Sequence, residues 1–364
     1  MVDFGFVTHP LDVTDIGSRY PITRYLPPSW IEEVGRRVLP IRKDRVTGIR
    51  SPWGSAGGWL ITFALTARQM EILPRPFILD RIARSVRLAR RLGAGIVGLG
   101  GLASVIGGED PDLAGRLNVA VTTGENYNVA VALDAARMAA GLVGKTLSFA
   151  EVTVLGGEGH AGAAMARLLA REAHGMTLVA TDPARIRRLS AVITRETGLT
   201  PKITADGGRA VHQCDIVVCT GGWTVDPRDP RPGAVFCGVG GPPGSSRRVR
   251  EVRKDVLVIE GGLVEIPGDV RCASAGFNPQ LCDPRLAEVM ILAIEGERED
   301  SGATAGVTVE RVDRLSSLAR RYGFRLAGLL GPDRPVTGDE IAEAKRAACQ
   351  GFRKLGAVGE EDRR

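Results

Sequence analysis

The stretch VLGGEGHAGAAM, from Val154 to Met165, decides the fold that we predict for this chain. It joins an apolar run to an alanine-rich segment, and its glycines are Gly156, Gly157, Gly159 and Gly162. The run before the glycines has the composition of a buried strand, and the segment after them has helical character. The glycines therefore occupy a strand-to-helix turn, which is typical of the first unit of a parallel α/β sheet.

Strand and helix patterns alternate from this turn onward. The predicted strands are EVTVLG, GMTLVATD, CDIVVCTGG, GAVFCGVGG and DVLVIEGG, and the first three are separated by the helical patterns GHAGAAMARLLAREA and PARIRRLSAVITRETG. Strands and helices that alternate at this spacing predict a doubly wound parallel sheet, roughly from Lys145 to Gly262.

The amino-terminal third also predicts α/β structure. FILDRIARSVRLARRLG has apolar residues at helical spacing, and the AGIVGLGG that follows it is typical of a parallel strand ending in a turn. We therefore predict an α/β protein of two domains. Residues 1–128 form an α/β substrate domain that the helices of 284–330 complete, and residues 129–283 form a Rossmann domain. Residues 331–364 form a last helix and a polar tail.

Composition limits the classes of function. The chain has 364 residues, of which 44% are hydrophobic and 25% charged, and no apolar run is long enough for a membrane span. The amino terminus lacks the pattern of a signal peptide, so we expect a cytoplasmic protein. The cysteines lie far apart without a CxxC pair, and this spacing favours neither a disulfide framework nor a metal site.

The net charge of +6 is modest, and the arginines are spread along the chain with local clusters such as RRVREVRK, Arg247 to Lys254. Such a cluster is either solvated surface or a docking patch for an acidic partner. Nucleic acid is not favoured as a partner, because no recognition motif or interleaved aromatic residue accompanies the arginines.

The glycine turn has the chemistry of a dinucleotide site. Gly157, Gly159 and Gly162 satisfy GxGxxG, whereas Gly156, Gly159 and Gly162 satisfy the looser GxxGxxG, and both spacings stay open. One glycine permits the tight turn, one lets a pyrophosphate approach, and one lets helix and strand pack closely. His160 and Ala161 begin the helix, whose N–H groups and partial positive charge would face the phosphates.

Further cofactor contacts are predicted at the ends of the later strands. Asp182 follows the second strand, twenty residues beyond Gly162, where an acidic side chain hydrogen-bonds an adenosine ribose, while Arg185 and its neighbours would suit a 2′-phosphate. The remaining predicted cofactor contacts are Thr181, Thr220, Gly221, Gly240, Gly261 and Gly262.

Several segments together resemble the cyanobacterial long-chain acyl-[acyl-carrier-protein] reductases, which form fatty aldehydes. The segments are GFVTH, GAGIVGLGGLASVIGG, NVAVTTGENYNVA, the glycine turn, CDIVVCTGG, DVLVIEGGLVE and GVTVERVDRLSSLARRYGFR. They follow the family's order over nearly the whole chain, up to about residue 326, and GLGGLASVIGG followed by TTG is the most specific part. The resemblance implies reduction of an acyl thioester to an aldehyde with NADP(H), or alternatively NAD(H). It also implies a first domain that binds the acyl chain, carried by acyl carrier protein or coenzyme A.

The resemblance also implies a nucleophilic cysteine, which takes the acyl group before hydride arrives and the aldehyde leaves. The aligned position in this chain is Arg285, and the nearest thiol is Cys282, within NPQLCDPRLAE. With Asp283 as N-cap and Pro284 as the first helical residue, Cys282 would lie beside a helix amino terminus, which favours thiolate. Cys282 is therefore the candidate nucleophile, and a buried apolar role is its alternative.

Ser104 and Tyr127 complete the candidate catalytic residues. Together with Thr122, Thr123 and Asn126 they fall on the family's GGxxS and TTG segments, where they would face the nicotinamide or cap loops. Two other functions stay open: an alcohol or carbonyl dehydrogenase of the shikimate-dehydrogenase type without covalent catalysis, and an NAD(P)-binding protein without turnover. A homo-oligomer also stays open.

Overall fold

The structure is a computed structural model that describes residues 2–19, 25–110, 113–240, 244–272, 278–297 and 306–361. The chain divides into two compact units. The first unit comprises residues 1–127, 264–306 and 314–325, and the second comprises residues 128–263, 307–313 and 326–364.

The strands and helices have the following bounds. The strands are β1 (Val2–Thr8), β2 (Ile41–Ser51), β3 (Gly54–Thr62), β4 (Ala94–Leu99), β5 (Ala120–Thr122), β6 (Glu151–Leu155), β7 (Gly175–Val179), β8 (Lys202–Thr204), β9 (Ile216–Thr220), β10 (Val235–Val239), β11 (Leu257–Ile259), β12 (Gly262–Glu265), β13 (Gly268–Arg271), β14 (Leu281–Cys282) and β15 (Arg325–Leu329). The helices are α1 (Val13–Arg19), α2 (Pro28–Arg37), α3 (Ala67–Ile72), α4 (Arg75–Arg91), α5 (Leu102–Gly108), α6 (Leu113–Leu117), α7 (Glu125–Leu142), α8 (His160–Leu169), α9 (Pro183–Thr197), α10 (Gly207–His212), α11 (Gly244–Val252), α12 (Pro284–Glu295), α13 (Val309–Tyr322) and α14 (Gly338–Glu361).

The first unit is built on a mixed sheet with the strand order β13-β2-β3-β1-β4-β5. β3, β1, β4 and β5 run parallel, whereas β2 is antiparallel to both β3 and β13. Helix α4 approaches the central strand closely, since a Cβ at Gly5 would lie 2.6 Å from the Ala89 Cβ. Because parallel strands end at one edge, the residues that follow β1, β4 and β5 lie along the same side of this sheet.

The second unit contains a six-stranded, all-parallel sheet with the order β11-β10-β9-β6-β7-β8. The chain runs outward from β6 through β7 to β8, then returns to the other side of β6 and runs through β9 and β10 to β11. This is the Rossmann order, and the crevice for a ligand lies at the carboxyl ends of the strands where the direction reverses. β9 and β10 are buried at every residue, as expected when both faces are covered. The predicted α/β class and doubly wound sheet are confirmed.

The structure adds strands that the sequence analysis did not predict. β1 is central and is buried from Phe4 to Val7, but Asp3 and Gly5 interrupt its apolar pattern, and both residue types are uncommon in strands. β2 is rich in charged residues, and β8 is a three-residue edge strand with two exposed members. β12, β14 and β15 form a further small sheet in the order β14-β12-β15.

The two units also differ from the predicted domains. Residues 264–283, assigned from the sequence to the second domain, belong to the first unit, because β13 pairs with β2 through Gly268 and Ile49. The described residues after 331 belong to the second unit, where a Cβ at Gly233 would meet the Ala348 backbone at 2.4 Å. Residues 362–364 of the predicted tail lie outside the described ranges.

None of the helices in the described ranges is both long enough and apolar enough to cross a membrane. The same ranges contain no group of three or more His, Cys, Asp or Glu side chains that could hold a metal ion.

Candidate functional site

The geometry of the glycine turn distinguishes the two possible spacings. Gly156 has a φ of 81°, which side-chain-bearing residues rarely adopt, so it is the turn glycine. A Cβ at Gly162 would lie 2.2 Å from the Gly156 carbonyl oxygen, so Gly162 allows α8 to pack against the turn. Within the described part of the chain, a Cβ at Gly159 would meet only that same oxygen, at 3.6 Å, and the space beside Gly159 is otherwise open. These three roles fit GxxGxxG, whereas Gly157 packs beside Ile186, 3.0 Å from its built Cβ.

The first turn of α8 has no side-chain cap. α8 begins at His160, and its N-cap, Gly159, has no side chain to bond the N–H groups of the first turn. Ala163 N donates to the Gly159 carbonyl, so the first intrahelical bond begins there. A helix terminus of this kind attracts anions, and the absence of a Cβ at Gly159 lets a phosphate approach. The turn therefore fits the pyrophosphate of a dinucleotide.

Thr220, at the end of β9, fixes the turn from the neighbouring strand. Its buried hydroxyl oxygen lies 2.9 Å from the Leu155 carbonyl oxygen and 3.0 Å from that of Gly156. The predicted cofactor residue Thr220 is thus a structural support of the turn. Gly221, which follows it, has a φ of 67° and no atom near its built Cβ.

The predicted residues after β7 lie at the same edge of the sheet. The Asp182 carboxylate caps α9, because its Oδ1 accepts from Ala184 N at 2.9 Å and from Arg185 N at 3.1 Å. Its other oxygen lies 3.5 Å from Arg185 Nε. Thr181 donates from its backbone N and its hydroxyl to Glu158 Oε1, at 3.3 and 3.2 Å. Glu158 was not predicted as a site residue, although it stands inside the glycine turn.

The last predicted glycines divide into two groups. Gly240 and Gly261 have φ angles of 66° and 73° at the ends of β10 and β11, so each permits a turn at the ligand edge. Gly262 has a packing role instead, since its built Cβ would lie 2.2 Å from Leu326 Cδ1.

A buried acid in the first unit forms a second candidate site. Glu288, on α12, is fully buried, and its Oε1 accepts a hydrogen bond of 2.5 Å from the Thr122 hydroxyl. Its Oε2 accepts from Tyr127 N at 2.7 Å, in the first turn of α7. Burial raises the pKa of the Glu288 carboxyl to about 7. The buried carboxyl is therefore harder to ionise than an exposed glutamate.

The turn between β5 and α7 packs directly on α12. Gly124 has a φ of 73°, and a Cβ there would lie 2.6 Å from the Arg285 Cα. Arg285 Nε donates to Glu125 Oε1 at 2.7 Å, and that carboxylate raises the pKa of the guanidinium, while burial opposes it. Arg285, which stands at the position aligned with the family's cysteine, thus forms an ion pair with Glu125, three residues before the buried Glu288. In the sequence, Glu288 can be recognised as an acid that interrupts the apolar segment LAEVMILAI.

The structure does not favour Cys282 as a nucleophile. Asp283 does cap α12, and Pro284 is its first residue, as the sequence predicts. However, Cys282 is only 8% exposed, and its backbone lies opposite Val264 in an antiparallel strand pair of the small sheet. Burial raises the pKa of this thiol well above its usual value, and the Asp283 charge adds to the effect. Cys272 is half-buried, and its Sγ lies 3.9 Å from Asp44 Oδ2.

Ser104 and Tyr127 are held inside the first unit. The buried Ser104 hydroxyl donates to the Gly101 carbonyl at 2.7 Å in the first turn of α5, which is a local structural contact. Tyr127 is 4% exposed, and its backbone N–H donates a hydrogen bond to the Glu288 carboxyl. His9 Nε2 accepts from Leu102 N at 3.0 Å, and burial lowers the pKa of the imidazole.

The predicted arginine cluster RRVREVRK is largely neutralised within the second unit. Arg247 pairs with Asp333, Arg250 pairs with Glu340, and Arg253 pairs with Asp255. These pairs engage three of the five basic side chains in the cluster.

Comparison with known proteins gives distant similarities. No family model matches the chain. The aminotransferase PigE of Serratia sp. (strain ATCC 39006) is 22% identical over 358 residues, which are 94% of this chain but only 42% of that protein. The chain therefore spans less than half the length of this relative.

The similar solved structures include dehydrogenases. L-tryptophan dehydrogenase from Nostoc punctiforme has a TM-score of 0.37 at 14% identity, over 97% of this chain and 90% of that chain. Quinate dehydrogenase from Corynebacterium glutamicum, in complex with NAD, has a TM-score of 0.36 at 14% identity, over 87% of this chain and 98% of that chain. At these values the similarities do not assign an activity to this chain.

Proposed function

We propose that this chain is a nicotinamide-dependent oxidoreductase that interconverts a carbonyl group and an alcohol by direct hydride transfer. The observation that carries the proposal is the glycine turn at the reversal point of a parallel sheet in the Rossmann order. The turn combines the positive φ of Gly156, the open space at Gly159 and the uncapped start of α8. Each of these features is what a bound pyrophosphate requires.

In this proposal the second unit binds and orients the dinucleotide. The first-turn N–H groups of α8 hold the pyrophosphate, and Gly159 leaves room for it. Thr220 keeps the turn in place through the carbonyls of Leu155 and Gly156. The bound cofactor supplies the hydride, and all other steps fall to the side chains of this chain.

A direct assay tests this function. The purified chain is incubated with NADH or NADPH and a panel of aldehydes and ketones, and with the oxidised cofactors and alcohols, while the absorbance of the reduced nicotinamide is followed. We expect reversible turnover of some substrate by the wild type and by Cys282→Ala alike. Binding of a cofactor without turnover of any substrate would favour the non-catalytic alternative, and no binding of either cofactor would contradict the proposal.

A second candidate is reduction of an acyl thioester to an aldehyde, with acyl carrier protein or coenzyme A as the carrier. Its support is the sequence resemblance, together with a basic groove in the first unit of about 590 Å³. Arg84, Arg87, Arg90 and Arg91 line this groove, and within the described residues Arg87 and Arg91 have no ion-pair partner. Acidic carriers would be attracted to such a surface.

The thioester candidate has its own test. Acyl-coenzyme A and acyl carrier protein thioesters are supplied with the reduced cofactor, and aldehyde is measured together with the intact mass of the protein. Aldehyde formation with an acyl adduct that Cys282→Ala abolishes would support the covalent route. Aldehyde without an adduct would indicate direct hydride transfer to the thioester, and no aldehyde would remove this candidate.

A further inference from the structure

The glycine turn carries an acid whose bonding is incomplete. Glu158 lies between Gly157 and Gly159, and its Oε1 accepts from both the backbone N and the hydroxyl of Thr181. Its Oε2 is buried and has no hydrogen-bond partner among the described residues. A buried carboxylate oxygen without a donor is costly and is normally satisfied in a native protein. A ligand that donates hydrogen bonds at this place would remove the cost.

The position of Glu158 indicates which part of a dinucleotide it would meet. Thr181 lies two residues after the end of β7, and Asp182 comes next. An acidic side chain at this edge meets the adenosine ribose in Rossmann domains. The Asp182 carboxylate is already occupied by Ala184 N and Arg185 N. Among the described residues, Glu158 therefore brings an unused carboxylate oxygen to this edge.

Carboxylates and arginines meet at this edge, and the carboxylates oppose a second phosphate. Glu158 and Asp182 bring two carboxylates to the end of β7, and the guanidinium of Arg185 faces Asp182 at 3.5 Å. Arg187 and Arg188 are exposed on α9, and the charge of Arg188 helps lower the pKa of Asp182. A 2′-phosphate would have to displace Arg185 from Asp182 and lie beside Glu158.

We propose that Glu158 makes this chain selective for NAD(H) over NADP(H). Its unused oxygen accepts a hydrogen bond from a ribose hydroxyl of the unphosphorylated cofactor, and its charge repels the 2′-phosphate of the other. This inference rests on the proposed function, since it requires that the turn bind a nicotinamide dinucleotide.

Binding measurements test the inference without reference to any substrate. Dissociation constants of NADH and NADPH are measured by titration of nicotinamide fluorescence with the wild type, Glu158→Gln and Glu251→Gln. Glutamine keeps an amide oxygen for Thr181 but removes the charge. Glu251 is an exposed acid on α11 in the same unit, so its variant controls for the change in net charge.

We expect the wild type to bind NADH about ten-fold or more tightly than NADPH, as close like charges at a partly exposed site imply. Glu158→Gln should tighten NADPH binding by about ten-fold and change NADH binding by less than about three-fold. Glu251→Gln should change neither, and thermal unfolding should show that all variants are folded.

The inference is overturned by a wild type that binds NADPH as tightly as NADH, or by a Glu158→Gln variant that shifts both constants by the same factor. A wild type that binds neither cofactor overturns the inference and the proposed function together. A wild type that binds NADPH preferentially overturns the inference alone.

Discussion

The glycine turn of the second unit and the Glu288 cluster of the first unit are assembled in opposite ways. The turn is local: Gly156, Gly159 and Gly162 act through their own backbone within seven consecutive residues. The cluster is long-range, since Glu288 reaches Thr122 and Tyr127 across 166 and 161 positions of sequence. The turn has the features common to many dinucleotide sites, whereas the cluster follows no sequence motif. The local sequence therefore determines the turn, whereas the cluster forms only when distant segments of the first unit meet.

The largest expected effect comes from breaking the turn. Gly162→Val should destabilise the second unit by about 4 kcal/mol or more, because a branched side chain there overlaps the Gly156 carbonyl, which cannot move far. Thermal or denaturant unfolding measures the loss. Gly141→Val is the control, because nothing lies near its built Cβ on α7, and it should unfold close to the wild type.

The next effect comes from removing the buried acid. Glu288→Ala should lower the free energy of unfolding by about 3 kcal/mol, since it leaves a cavity and strips the Thr122 hydroxyl and Tyr127 N of their acceptor. Glu288→Gln preserves the shape and keeps an acceptor oxygen for Tyr127 N, while its amide NH2 can donate to the Thr122 hydroxyl oxygen, so its loss in chemical denaturation should be smaller. Equal losses for the two variants would mean that the hydrogen bonds contribute little.

The titration of Glu288 should appear in the pH dependence of stability. Its folded pKa of about 7 exceeds the ordinary value of 4.5, so between these pH values the unfolded chain has released a proton that the native chain still holds. The free energy of unfolding therefore falls as pH rises from 4.5 to 7, by about 2 to 3 kcal/mol, and then levels off. Denaturation curves of Glu288→Gln measured in parallel should lack this component.

A smaller effect concerns the thiols. With a pKa raised well above its usual value, native Cys282 should resist alkylation at mildly alkaline pH, whereas the exposed Cys349 should react first. Mass spectrometry after iodoacetamide treatment gives the order of labelling, and the unfolded chain provides full labelling of all thiols. Rapid native labelling of Cys282 would restore it as a candidate nucleophile.

The difference in range also explains which features could be predicted from the sequence. The turn, the strands on both sides of β6 and the cap at Asp283 depend on neighbours within a few residues, so composition and spacing predict them. β1 and β8 were missed because one contains Asp3 and Gly5 and the other has only three residues. Neither the contact of Glu158 with Thr181 nor that of Glu288 with Thr122 follows from periodicity, because both depend on how distant segments meet.

Equilibrium titration of nicotinamide cofactors against the wild type and Gly159→Val tests the central claim most directly. Gly159 has ordinary φ and ψ angles of −82° and 158°, and only one atom lies near its built Cβ, so the variant should stay folded while its side chain fills the space for the pyrophosphate. We predict that the wild type binds one dinucleotide and that the variant, with an unchanged unfolding temperature, binds at least about ten-fold more weakly. Equal binding by a folded variant, or no binding by the wild type, would contradict the account.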